Sequence, residues 1–85
     1  MREPVRAAVV GAGGWGTALA ALMARRGHQV VLWSFEEHVA NSIEARRVNP
    51  YLEGVTLPES LAVTTDLATA VGGAELVLSV SPSQF

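Results

Sequence analysis

The chain has 85 residues, 49% of them apolar, a formal net charge of −2 and no cysteine. This length holds one small domain, or part of one, with a core that is marginal by itself. The mildly acidic balance without a polybasic run argues against nucleic acid or a membrane surface as partner, and the missing cysteines exclude a disulfide framework and thiolate metal chemistry.

Val5 to Val10 is a short apolar run of strand type, and glycines follow it at once. Gly11, Gly13 and Gly16 fit G-x-G-x-x-G, the turn that joins a strand to a helix and cradles a dinucleotide. The first glycine permits the sharp turn, the second lets the pyrophosphate approach the backbone, and the third lets the helix lie close on the strand. The phosphates would sit on the free N–H groups at the helix N-terminus. A plain structural turn is the alternative, and the strand before and helix after weigh against it. In that helix Ala18, Leu19, Leu22 and Met23 are expected to form the apolar face. Arg25 and Arg26 close its last turn, and Gly27 stands where a residue of positive φ ends a helix.

Gln29 to Trp33 reads as a second, parallel strand joined by a right-handed crossover, with Trp33 expected in the core. Ser34-Phe-Glu-Glu37 reads as a capping box opening a second helix, whose buried side holds Val39, Ala40 and Ile43. The polar stretch from Val48 to Pro58 is a loop. Leu61 to Thr64 is a short third strand, Asp66 to Val71 a short helix stopped by Gly72-Gly73, and Glu75 to Val80 a buried fourth strand. The fold expected is α/β: a Rossmann-type doubly wound parallel sheet, N-terminal portion only. Its fourth strand lies beside the first, away from the second, and its ligand site is at that switch point. Ser81 to Phe85 resembles the turn into a further helix, so residues 1–85 are expected to be the N-terminal portion of a dinucleotide-binding domain. Because Pro4 and charged residues precede Val5, no signal peptide is legible, and the cytoplasm is the expected location.

Gly11-Ala-Gly-Gly-Trp-Gly-Thr-Ala-Leu-Ala20, Gly27-His-Gln-Val-Val-Leu-Trp33, Asn49-Pro-Tyr-Leu-Glu-Gly-Val-Thr-Leu-Pro58, Thr64-Thr-Asp-Leu67 and Val80-Ser-Pro-Ser-Gln84 carry a closer likeness. Together they resemble the N-terminal part of bacterial-type NAD(P)-dependent glycerol-3-phosphate dehydrogenase, over nearly the whole chain. The tryptophan inside the glycine loop and the Tyr-Leu-x-Gly-x-x-Leu-Pro loop are its most specific parts. The resemblance implies reversible reduction of dihydroxyacetone phosphate to sn-glycerol 3-phosphate, which supplies phospholipid backbones. It implies cofactor binding at Gly14 and Trp15, with Tyr51 near the cofactor. The family's catalytic lysines lie beyond Phe85 and this chain has no lysine, so no catalytic residue and no turnover are expected of it alone. A phosphorylated small-molecule substrate, and a homodimer formed through a helical domain outside these residues, belong to the same implication.

In one place the chain departs from the family. Many members have a basic residue two places after the tryptophan that ends the second strand, suited to the 2′-phosphate of NADP; here it is Phe35, followed by Glu36 and Glu37. Acidic groups repel a 2′-phosphate and accept from a ribose hydroxyl, so NAD is slightly favoured unless Arg46 or Arg47 folds back. For Trp15, cover over a bound cofactor is favoured over packing under a loop. For Glu36, ribose reading and a dipole-favoured first-turn position stand level. Tyr51 either meets the adenine side of the site or staples its loop, and only the resemblance favours the first. Pro82 either faces the nicotinamide end or only exits a strand. His28 and His38 are expected on the surface without a metal, and the arginine pairs as solvated groups at helix ends. Two rivals remain at this level: another Rossmann dehydrogenase acting on a sugar acid or keto acid, and a non-catalytic dinucleotide-sensing module.

Overall fold

A computed structural model describes residues 4–80. The elements run β1 (Arg6–Val10), α1 (Gly14–Arg25), β2 (Gln29–Trp33), α2 (Glu37–Arg46), β3 (Ala62–Thr64), α3 (Leu67–Val71) and β4 (Leu76–Ser79). All strand pairs are parallel, in the order β3-β2-β1-β4. This is the doubly wound order expected: the chain steps outward from β1 to β3, then returns past both to place β4 on the far side of β1. α1 and α2 share one core on the sheet, and the right-handed crossover rule assigns the returning α3 to the opposite face. Ala7, Ala8 and Val9 are accordingly all buried, as a central strand covered on both faces requires.

The core lies between the sheet and the α1/α2 layer, where Val9, Val30 and Leu32 meet Ala20, Ala21, Ala24, Val39 and Ile43. The expected face of α1 is corrected in part: Met23 packs against the core as expected, but the fully buried stripe is a different one. Gly16, Thr17, Ala20, Ala21 and Ala24 face inward, and Leu22 is 48% exposed. At its first turn the helix lies so close to the strand end that no side chain fits between them. At Gly16 an added Cβ would overlap the carbonyl oxygen of Gly11. Backbone proximity, not side-chain hydrophobicity, thus selects the buried stripe.

Other boundaries shift for local reasons. Ser34 does not form a capping box, because α2 begins only at Glu37. Its buried hydroxyl instead accepts from the Glu36 N–H (3.2 Å) and donates to the Glu36 carbonyl (2.8 Å). Trp33 is half-buried rather than central, and its indole N–H donates to the Thr65 carbonyl at 3.0 Å, tying the ends of β2 and β3 together. β4 is not buried: it forms an edge, with Leu76 and Val77 exposed. His28 is half-buried, and its Nδ1 accepts the Val5 N–H at 3.1 Å, whereas His38 is exposed. Gly27 has φ +95°, as its position at the end of α1 demands.

Arg47 is not solvated as expected of it. It ends α2 at φ 60°, ψ 31°, and its guanidinium donates to the carbonyls of Pro58 (3.0 Å) and Leu61 (2.6 Å). Its carbonyl accepts the Leu57 N–H at 2.7 Å. A left-handed conformation costs a non-glycine residue about 1 kcal/mol, and these bonds offset it by fastening the loop 48–61 to the helix end. Leu57 and Leu61 are buried beside them.

Candidate functional site

The C-terminal ends of the parallel strands meet at one edge. The Gly11 N–H donates to the Trp33 carbonyl (3.1 Å), the Ser34 N–H to Thr64 (2.9 Å) and the Val80 N–H to Val10 (2.9 Å), so the ladder extends past each strand into the loops. Above that edge lies a groove of about 700 Å³ lined by Gly11 to Gly16, Trp33 to Glu36, Tyr51 and Val80. It brings together eight of the nine residues expected to bind a cofactor: Gly11, Gly13, Gly14, Trp15, Gly16, Phe35, Glu36 and Tyr51. Pro82 lies outside the described residues.

The glycines divide the work. Gly11 turns the chain at φ +120°, and an added Cβ there would overlap the Val80 carbonyl oxygen; Gly16 carries the close contact of α1 already described. Gly14 makes room for the Tyr51 carbonyl, which would stand 2.8 Å from a Cβ. Gly13 faces open space, with no neighbouring atom within 4 Å of a Cβ position. It is also the N-cap of α1, which has no side-chain cap and no acidic residue in its first turn. The N–H groups of that turn have no partner within the helix, and their dipole favours an anion.

Around this cradle stand all four aromatic side chains of the described residues. Trp15 is 76% exposed, Phe35 83% and Tyr51 52%, while Trp33 meets Phe35 at 6.2 Å between ring centroids. Large aromatic surface turned to water around one concavity is the mark of a ligand site rather than of a core. Among the described residues Glu36 is the one charged residue that lines the groove. It stands about 20 residues beyond the last glycine, where an acidic group reaches a ribose hydroxyl. The Tyr51 hydroxyl donates to its carboxylate, at 2.9 Å from Oε1 and 3.1 Å from Oε2. Among the described residues no arginine lines the groove, and Arg47 is held instead by the Pro58 and Leu61 carbonyls.

Asn49 is a site-building residue that the sequence reading did not single out. It is 1% exposed. Its side-chain amide donates to the Ala12 carbonyl (3.0 Å) and to the Thr17 hydroxyl (2.6 Å), and its Oδ1 accepts the Tyr51 N–H (2.8 Å). One side chain therefore pins the glycine turn, the first turn of α1 and the Tyr51 loop to one another. An Asn-Pro pair signals a turn by its local chemistry, but partners more than 30 residues away carry no such local signal.

The hydrogen bond to Glu36, then its charge, raise the Tyr51 phenol above its ordinary value. Because the pKa is raised on folding, the bond contributes fully below about pH 10 and is lost as pH rises through the folded value. The chain has one tyrosine, so ultraviolet tyrosinate titration reads it alone. The midpoint is expected above that of free tyrosine and lower in Glu36→Gln; equal midpoints in the two proteins would show that the pair does not form in solution.

Sheet order, glycine turn and groove define a Rossmann-type nucleotide-binding fold. The family model described as "NAD-dependent glycerol-3-phosphate dehydrogenase N-terminus" matches residues 6–85. The chain belongs to that family. It is 57% identical over 77 residues to the glycerol-3-phosphate dehydrogenase [NAD(P)+] of Stenotrophomonas maltophilia strain K279a, covering 89% of this chain and 23% of that relative. With the protein of the same name from Xanthomonas campestris pv. campestris strain B100 it shares 49% identity over 85 residues, 98% of this chain and 25% of the relative. The crystal structure of glycerol-3-phosphate dehydrogenase from Coxiella burnetii superposes with a TM-score of 0.82 at 39% identity, over 89% of this chain and 24% of that one. The structure of the Saccharomyces cerevisiae enzyme also gives 0.82, at 29% identity, over 92% of this chain and 26% of that one. The chain thus spans about a quarter of the length of the relatives it matches. Among the described residues no helix is long and apolar enough to cross a membrane.

Proposed function

We propose that these residues are the dinucleotide-binding part of a cytoplasmic oxidoreductase that interconverts dihydroxyacetone phosphate and sn-glycerol 3-phosphate for glycerophospholipid synthesis. Supporting observations are the family match, the names of the relatives and the fit between the groove and a dinucleotide. The observation that carries the fit is the uncapped first turn of α1, laid open beside Gly13 and ringed by exposed aromatics. When bound, NAD or NADP supplies the hydride chemistry, and the chain supplies orientation and electrostatics. Gly11, Gly13, Gly14 and Gly16 shape the backbone around the pyrophosphate. Trp15 and Phe35 flank it with apolar surface, and Glu36 and Tyr51 form the polar end where the adenosine ribose belongs. Pro82, three residues beyond β4 in sequence, is assigned to the nicotinamide end as part of this proposal. No side chain in the groove is placed to handle the carbonyl proton of a substrate. The catalytic groups are assigned to the part of the relatives' length that lies beyond this chain, and the 85 residues alone are inactive on this reading.

The reading includes a preference for NAD. A 2′-phosphate at contact distance from Glu36 is repelled by about 1 kcal/mol per charge in water-like surroundings, about fivefold in Kd. Among the described residues no cation lines the groove to offset this. The test is a titration with NADH and NADPH that follows quenching of Trp15 and Trp33, the two tryptophans of the chain. Saturable binding, tighter for NADH, is the expected result. Tighter NADPH binding overturns the preference, and no binding by a chain that circular dichroism shows to be folded overturns the dinucleotide site.

A further inference from the structure

We infer that Tyr51 is a selectivity-determining residue of this site, and that it acts by holding the Glu36 carboxylate in place for a ribose 2′-hydroxyl. The inference rests on the dinucleotide reading above and goes beyond it by assigning the discrimination to a pair of residues. Glu36 is half-buried at the N-cap of α2, in extended backbone (φ −96°, ψ 124°), and makes no cap with its own side chain. An unpartnered glutamate there has several rotamers open to it and gains little from any one of them. The Tyr51 hydroxyl removes that freedom, since it lies within hydrogen-bond distance of both carboxylate oxygens, from the loop that follows α2.

That loop is anchored at two points. Its backbone is clamped at the Tyr51 N–H by the buried Asn49 Oδ1, and the Tyr51 carbonyl sits against Gly14. The phenol is therefore carried on an anchored backbone and donates to a side chain that has no cap bond of its own. A carboxylate offers about four lone-pair sites. With one engaged by Tyr51, the remaining sites accept from a ribose diol, whereas a 2′-phosphate brings acceptors only and a like charge. A glutamate free to swing into solvent would do neither well: it would bind the diol less firmly and could withdraw from the phosphate. Tyr51 converts a flexible charge into a directional filter.

The experiment compares wild type, Tyr51→Phe, Glu36→Gln and the double variant by tryptophan quenching with NADH and with NADPH. Tyr51→Phe removes one oxygen atom from an exposed ring, and circular dichroism checks that the fold is unchanged. Loss of one hydrogen bond to a charged acceptor lowers the NADH-over-NADPH ratio about tenfold. Glu36→Gln lowers it as well, and the double variant matches Glu36→Gln, because without the carboxylate the phenol has nothing to hold. If Tyr51 merely braced its loop, both cofactors would weaken together and the ratio would stay constant. A constant ratio in Tyr51→Phe, or fully additive effects in the double variant, overturns this inference and leaves the dinucleotide site standing. Absence of saturable binding by folded wild type overturns both.

Discussion

Gly16→Ala is expected to destabilise the fold by about 3 kcal/mol or more, while Gly13→Ala leaves stability within about 0.5 kcal/mol and weakens dinucleotide binding about tenfold or more. The two glycines belong to one motif, and the structure separates their reasons. A Cβ at Gly16 would overlap the Gly11 carbonyl oxygen and approach the Gly11 carbonyl carbon (3.1 Å) and Val80 Cβ (3.6 Å). The first two are backbone atoms, which cannot rotate aside. α1 would have to lift from β1, and the Gly16–Thr17–Ala20–Ala21–Ala24 contact would lift with it. Folded proteins of this size have only about 5–15 kcal/mol to lose, so the change falls on a large share of it. Gly13 has φ −74° and ψ −173°, which any residue adopts, and its Cβ position is open. A methyl group there stands where the pyrophosphate must approach. Losing one charge-assisted bond to a phosphate costs about 1.5–3 kcal/mol, tenfold or more in Kd for NADH. Urea unfolding followed by circular dichroism, together with NADH titration, separates the two. A stable Gly16→Ala chain, or a Gly13→Ala chain that binds NADH as wild type does, would contradict this division of roles.

The strands and the glycine turn were legible because their signals are local. Val and Leu runs bounded by Gly and Pro, and glycines at fixed spacing, need no knowledge of distant neighbours. The strand order followed from the right-handed crossover rule once helices were seen to separate the strands. What was misread depended on distance between layers. Leu22 was assigned to the core by periodicity, yet the contact at Gly16 brings helix and sheet so near that alanines take its place. β4 reads as buried from its apolar composition, but burial depends on what stands beside a strand, and among the described residues nothing lies beyond it. Ser34 and Glu37 have capping-box spacing, but the box needs the helix to start at once, and the turn of Ser34 onto Glu36 delays it. Arg47 looked like a solvated helix end because composition does not reveal that a loop returns to its guanidinium.

The same limit explains Asn49, and Asn49→Ala is expected to cost about 3 kcal/mol as well as dinucleotide affinity. Among the described residues no buried side-chain polar atom lacks a partner. Asn49 achieves this at the meeting of three segments by donating twice and accepting once. Truncation to alanine leaves the Ala12 carbonyl and the Tyr51 N–H each short of a bond and opens a cavity where water must enter or contacts are lost. Asn49→Asp is expected to be at least as damaging at neutral pH, since it sets an acceptor oxygen against the Ala12 carbonyl and buries a charge. Thermal unfolding measures both. The contrast with Tyr51→Phe gives the test its force: Tyr51 is exposed at the groove and should change selectivity with little change in stability, whereas Asn49 lies beneath it and should change stability first. NADH affinity should then fall because the glycine turn and the Tyr51 loop no longer share an anchor. An Asn49→Ala chain that unfolds at the wild-type midpoint and binds NADH unchanged would show that the two loops hold their places independently, and that the buried amide fills space without organising the site.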